Sequence, residues 1–195
     1  MRRTRTALIT AIILMTPVLL FAVSGDVDEV SPPEWVRLET GYLTIYYHPG
    51  ADLDRIESRL RQRATYFSAD IPSEYADVEE KIRYQLDALF RRAQNILDMH
   101  PDMHLKIRIF GSREELNEEY IKIFSENTPE DIEDEKLKAF YVDKYKTIYA
   151  SEDDISDSIM AHEMGHAIID HYFAVIPPEK VRELLASYVD LHLAE

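Results

Sequence analysis

The chain is predicted to fold as one α+β domain, and three observations carry that expectation. Short runs rich in β-branched and aromatic residues, at Trp35–Tyr47, Leu105–Phe110, Ala139–Val142 and Thr147–Ala150, have the composition of strands. Longer segments between and after them repeat apolar residues at spacings of three and four, the period of a helix with one face in a core. The order of segments is strand, helix, helix, strand, helix, strand pair, then two helices, and no repeat is visible at periods of roughly 20 to 50 residues, so solenoids drop out. With 195 residues, five Gly and no Cys, collagen-like and disulfide-stapled classes are excluded as well. A mean hydropathy of -0.30 excludes a polytopic membrane protein.

The first 24 residues read as an export signal. Arg2, Arg3 and Arg5 make a basic start, Ala7 to Val23 is apolar without one charge, and Ala22-Val23-Ser24 offers the small residues that a signal peptidase reads. An uncleaved anchor is the alternative, because the run sits at the short limit for crossing a bilayer, but Pro17 weakens it as a permanent helix. The expected location is therefore secreted or periplasmic, with no stable membrane span after cleavage. Residues 25–34 are acidic and interrupted by Pro32-Pro33, as in a linker. Residues 35–195 are expected to form the domain.

Within the domain, Gly41 divides Trp35–Tyr47 as in a hairpin or a strand, and His48-Pro49-Gly50 ends it. Helices are expected from Asp52 to about Phe67 and from Val78 to about Met99. In the second, Ile82, Leu86, Leu89, Phe90, Ala93, Ile96 and Leu97 fall on one stripe, which reads as core packing. Leu105–Phe110 alternates as a strand and Glu114–Phe124 reads as a helix. Glu126–Glu135, acidic and containing Pro129, reads as a solvated loop. Ala139–Val142 and Thr147–Ala150, joined by Asp143–Lys146, look like an antiparallel pair. Two helices follow, from about Ser156 to Phe173 and from Glu179 to about Leu193, separated by the chain-breaking Pro177-Pro178.

Charge narrows the partners. Lys plus Arg number 22 against 37 Asp plus Glu, a net charge of -15. Residues 1–24 contain three Arg and no acid, so their removal would deepen it to -18. Binding a polyanion needs clustered Lys and Arg to displace counterions, which excludes nucleic acid and disfavours anionic membrane surfaces. A chain without Cys must reach stability by core packing alone.

The chemistry concentrates in His162-Glu163-Met164-Gly165-His166. Two histidines four apart on a helix project from one face about a turn apart, so both imidazoles can reach one metal at ~2.0–2.1 Å. Glu163 is rotated by about 100° from His162, too far to join as a ligand but near enough to a water on the metal to act as its base. Zinc suits the nitrogen donors and brings the pKa of such a water toward ~7, where a carboxylate can take the proton during attack on a carbonyl. Ile159, Met160, Ala167 and Ile168 make this helix largely apolar, and burying His162, Glu163 and His166 among them is costly unless something satisfies their polar atoms. The other histidines invite plainer readings. His100 and His104 share the spacing but His100 is followed by Pro101, and His171 and His192 lie near helix ends.

His162-Glu-Met-Gly-His-Ala-Ile-Ile-Asp170 resembles the active-site helix of thermolysin-like peptidases, and Glu183-Leu-Leu-Ala-Ser-Tyr188 resembles the glutamate segment of gluzincin aminopeptidases. The resemblance covers about Ile148 to Leu193, a quarter of the chain. It implies a gluzincin-type zinc metallopeptidase: a compact zincin-like fold, a small mixed sheet with an active-site helix and a glutamate helix, and a peptide or protein as substrate. It also implies that His162, His166 and Glu183 hold Zn2+ and that Glu163 is the catalytic base. Glu179, Asp170 and Asp190 compete with Glu183 for the third position. One departure lies at Ser187, where many gluzincins carry an Asp that orients a histidine ligand; Asp170 or Asp190 would have to serve instead.

By the same analogy, Thr147–Ala150 is expected to be the sheet edge with which an extended peptide pairs. Tyr141 and Tyr149 carry hydroxyls able to donate to an oxyanion, although tyrosines on strands more often pack. Little chain follows the glutamate helix, which implies a small, open substrate side. Two alternatives come from other classes: a zincin-like module that holds zinc without turnover, and an acidic interaction domain without metal. Glu163 favours the enzyme over the first, since a purely structural site needs no base.

Overall fold

The computed structural model describes residues 35–61, 77–124 and 137–194, which belong to one compact unit, Pro32–Glu195. The expected export signal at 1–24, the linker at 25–34, the end of the first helix near Phe67 and the acidic loop Glu126–Glu135 lie outside these residues. Five strands appear in chain order as β1 (Val36–Glu39), β2 (Leu43–Tyr47), β3 (Leu105–Phe110), β4 (Ala139–Val142) and β5 (Thr147–Ser151). The helices are α1 (Leu53–Leu60), α2 (Val78–Leu97), α3 (Arg113–Phe124), α4 (Asp157–Tyr172) and α5 (Glu179–Leu191). The protein is α+β, as its sequence predicts.

One sheet takes the order β1-β2-β3-β5-β4. The central pairs β2–β3 and β3–β5 are parallel and the outer pairs β1–β2 and β4–β5 antiparallel. Parallel neighbours cannot be joined by a tight turn, so α1 and α2 cross from β2 to β3, and α3 and β4 intervene between β3 and β5. Side chains alternate across the sheet. Ile45, Ile107, Ile109 and Ile148 face the main core with α2, α4 and α5. Phe110, Tyr149, Phe140 and Val142 face a smaller aromatic core on the opposite side, closed by Leu116 of α3.

Helix ends follow local chemistry. Asp77 caps α2 by accepting from the Glu79 N–H, and Asp98, left-handed at φ 50°, ends it; the reverse turn there stops the helix at Leu97, the last residue of the apolar stripe, two short of the expected end near Met99. Along α2, Ile82, Leu86, Leu89 and Phe90 are buried, each contributing about 1.5–3 kcal/mol. Ser156 caps α4, its side chain accepting from the Ile159 N–H at 3.3 Å. Between β4 and β5 a single 3-10 turn, Asp143–Tyr145, and a left-handed Lys146 reverse the chain.

The order of strands corrects one expectation. Thr147–Ala150 is not an edge: β5 is paired on both sides, and the edge next to it is β4. The reason is the crossover, because β5 returns parallel to β3 and leaves the earlier strand outside.

Candidate metal centre

Helix α4 carries His162 and His166 one turn apart, their rings nearly perpendicular and their Nε2 atoms 3.2 Å apart. Helix α5 brings Glu183 to the same point, Oε1 lying 3.3 Å from His166 Nε2 and Oε2 lying 3.6 Å from His162 Nε2. Among the described residues these three are the one group of His, Cys or acid placed to hold an ion. Their spacing can be tested against coordination chemistry. A tetrahedral centre with bonds of ~2.0–2.1 Å has donor atoms about 3.3 Å apart, and 3.2, 3.3 and 3.6 Å fit that figure. One proton between the two Nε2 atoms makes a single hydrogen bond and leaves the Glu183 carboxylate out of it, whereas a cation would engage both nitrogens and the carboxylate together.

Two contacts set α5 against α4. Gly165 lies in their seam, where a Cβ would come 3.1 Å from the Ala186 Cα, so its missing side chain permits the close approach. Arg182, one residue before Glu183, reaches Asp170 with Nη1 at 3.4 Å from Oδ2. The Asp170 side chain is 2% exposed, and burial, only partly offset by Arg182, raises its carboxyl pKa. Neither Gly165 nor Arg182 was singled out from sequence. A glycine inside a helix, costing about 1 kcal/mol against Ala, was the available signal for the first.

Glu163 is not one of the clustered donors, but it lines the adjoining cavity beside His162. Its carboxylate accepts the backbone N–H of Tyr141. Burial first, and then the Glu183 charge, push it up to about 7. Burial likewise drives the His166 imidazole down to about 4, against the pull of Glu183. Both shifts describe the metal-free protein, in which charging either group in a dry site is costly.

A cavity of about 230 Å³ adjoins this cluster, lined by Lys138, Ala139, Ser158, His162, Glu163 and Asp190 among others. Its wall is the edge strand. Ser151 N–H donates to the Lys138 carbonyl at 3.3 Å, and antiparallel partners alternate between bonded and unbonded pairs. Lys138, Phe140 and Val142 therefore face β5 through their backbones, while Ala139 and Tyr141 turn theirs outward, in agreement with the Tyr141 N–H meeting Glu163. A larger cavity of about 300 Å³ around Thr40, Arg83 and Asp87 shares no residue with this site.

The remaining candidates separate by their partners. Asp190 accepts the Ser158 hydroxyl and Asp170 is bound by Arg182, so of the four acids only Glu183 joins the histidines. Tyr149 is fully buried on the opposite face of the sheet, stacked on Phe140 with ring centroids 4.9 Å apart; it is a packing residue and no oxyanion donor. Tyr141 donates its hydroxyl to Asp143 Oδ1 at 3.3 Å, and burial, with Asp143 and Asp170 nearby, raises its pKa. His100, His104, His171 and His192 bond Asn95, Thr44, the Ala167 carbonyl and the Tyr188 carbonyl in turn, away from the cluster.

No known protein family model and no curated protein matches the chain.

Proposed function

We propose that the protein is an exported zinc metallopeptidase of the gluzincin type, in which His162, His166 and Glu183 hold the metal and Glu163 is the general base. The single observation that carries this reading is the mutual 3.2, 3.3 and 3.6 Å spacing of the three donor atoms. Zinc held there would supply a Lewis acid that polarises a carbonyl and acidifies water.

The chain's own residues supply the rest. Glu163, buried and oriented by the Tyr141 N–H, accepts the proton of the attacking water and returns it to the departing amine. The outward backbone of Ala139 and the carbonyl of Tyr141 offer pairing groups to an extended peptide, which would run along β4 beside the cavity. The cavity is small and open to solvent, so the substrate is bound mainly through its backbone, and an extended polypeptide suits it better than a compact small molecule. Export follows from the first 24 residues, with their basic start and apolar run.

The test is elemental analysis together with a peptide library scored by mass spectrometry. Protein purified without added metal is expected to carry close to one zinc per chain and to cleave peptides. The Glu163→Gln variant should keep the zinc and lose about 10²–10⁴ in rate. Absence of zinc from the wild type would sink the proposal. A zinc-loaded wild type that cleaves nothing across the library would instead favour a module that holds zinc without turnover.

A further inference from the structure

Seven of the nine exposed large hydrophobic residues among those described fall within one stretch of the chain, Tyr172 to Leu191. Val175, at 83% exposure, and Ile176 stand in the turn before α5. Val181, Leu184, Tyr188 and Leu191 follow on the helix, with Leu184 and Leu191 at 70% and 75% exposure. Their spacings of three, four and three residues are those of a helical seam made to meet another helix. The seam is not needed inside the chain, since α5 already packs on α4 through Ala186, Val189 and the gap left by Gly165. A helix apolar on two faces is normally covered on both.

From this surface we infer that α5 is the interface of a homodimer, with a second copy of the chain as the occupant. Area is the first argument. At roughly 100–200 Å² per side chain the exposed parts of these seven residues amount to on the order of 700 Å². That is about what each partner buries in a stable interface.

Charge is the second. At 100° per residue the helix's three acids, Glu179, Glu183 and Asp190, gather within about 40° of one another. The seam lies about 80–160° round from Glu183 and is bordered by Lys180, Ser187, Leu185 and His192, without a carboxylate. On a chain of net charge -15, this is a face on which two like-charged copies can meet without opposing acids.

Self-complementarity is the third. An antiparallel pair about a two-fold axis at position 186 sets Val181 against Leu191 of the other copy and Leu184 against Tyr188, the same patch serving both sides. The dimer does not depend on the metal or on hydrolysis, and it leaves Glu183 facing α4.

Sedimentation velocity of the purified full chain tests this. At about 50 μM, above the micromolar dissociation constants common for interfaces of this size, the wild type should sediment as a dimer. The double variant Leu184→Asp/Leu191→Asp should sediment as a single chain with an unchanged circular dichroism spectrum. Because the chain lacks Cys, Leu184→Cys reports proximity: a short bismaleimide should join two chains through it, while Ile121→Cys, exposed on α3, should stay single. A monomeric wild type, or a dimer that survives in the double variant, would overturn the inference. So would binding of a monomeric wild type to neutral phosphatidylcholine vesicles that the double variant loses, which would assign the face to lipid.

Discussion

Glu163 shows how one position on a helix can carry a role that its neighbours cannot. Adjacent to His162 but not one of the clustered donors, it is held by the Tyr141 N–H and raised to about 7 by burial and by Glu183. Linkage turns that into a stability statement for the metal-stripped protein. The folded-state value exceeds the ordinary 4.5, so the cost is absent below pH 4.5 and grows as the pH rises, reaching about 3 kcal/mol above pH 7. Thermal melts of metal-stripped Glu163→Gln and wild type should therefore coincide near pH 4 and diverge near pH 8, with the variant higher; equal melting at pH 8 would contradict the burial argument. At Glu183 the role is different. Glu183→Ala should weaken zinc retention by roughly an order of magnitude or more, since two histidines make a poor site. Competition with a chelator measures it, and the assignment fails if Glu183→Ala retains full affinity while Asp190→Ala loses it. The His-x-x-x-His pair was legible because four residues make one helical turn, whereas the third ligand required a second helix to be packed in place.

At the scale of elements, the site depends on the seam between α4 and α5. Gly165 opens that seam, and the Arg182–Asp170 pair fastens it next to Glu183. Gly165→Ala sets two effects of similar size against each other. Helix propensity favours Ala by about 1 kcal/mol, while a Cβ 3.1 Å from a backbone carbon forces a shift costing about 1–3 kcal/mol. The melting temperature should consequently move little, but displacing α5 carries Glu183 from the histidines, and zinc affinity should fall at least about tenfold. Unchanged affinity in a chelator titration would mean that the seam does not position the ligand. Strand identities were legible from composition, and the helix starts near Val78 and Ser156 to within a residue from apolar periodicity. The edge was not: whether β4 or β5 lies outside depends on the crossover from β3, which no local pattern encodes.

For the whole molecule, the sheet separates a large aliphatic core from a small aromatic one, and the candidate site opens at the β4 edge on the side of α4. The proposed export rests on the basic start and apolar run of the first 24 residues. Intact mass of chain recovered from outside the cytoplasm should correspond to a mature start at Gly25. A mass retaining Met1 through Ser24 would instead support an uncleaved anchor. Sequence by itself determined what is local: which stretches are strands and helices, where prolines break them, and that His162 and His166 share a helical face. It also suggested Glu183, through the motif around it. Only the tertiary structure decided that Glu183 meets both imidazoles, that Asp170 and Asp190 are engaged elsewhere, that Tyr149 is core and that β4 is an edge. Each of those depends on side chains far apart in the chain meeting in space, and the crossovers and helix seam that bring them together are set by the packing of the whole core.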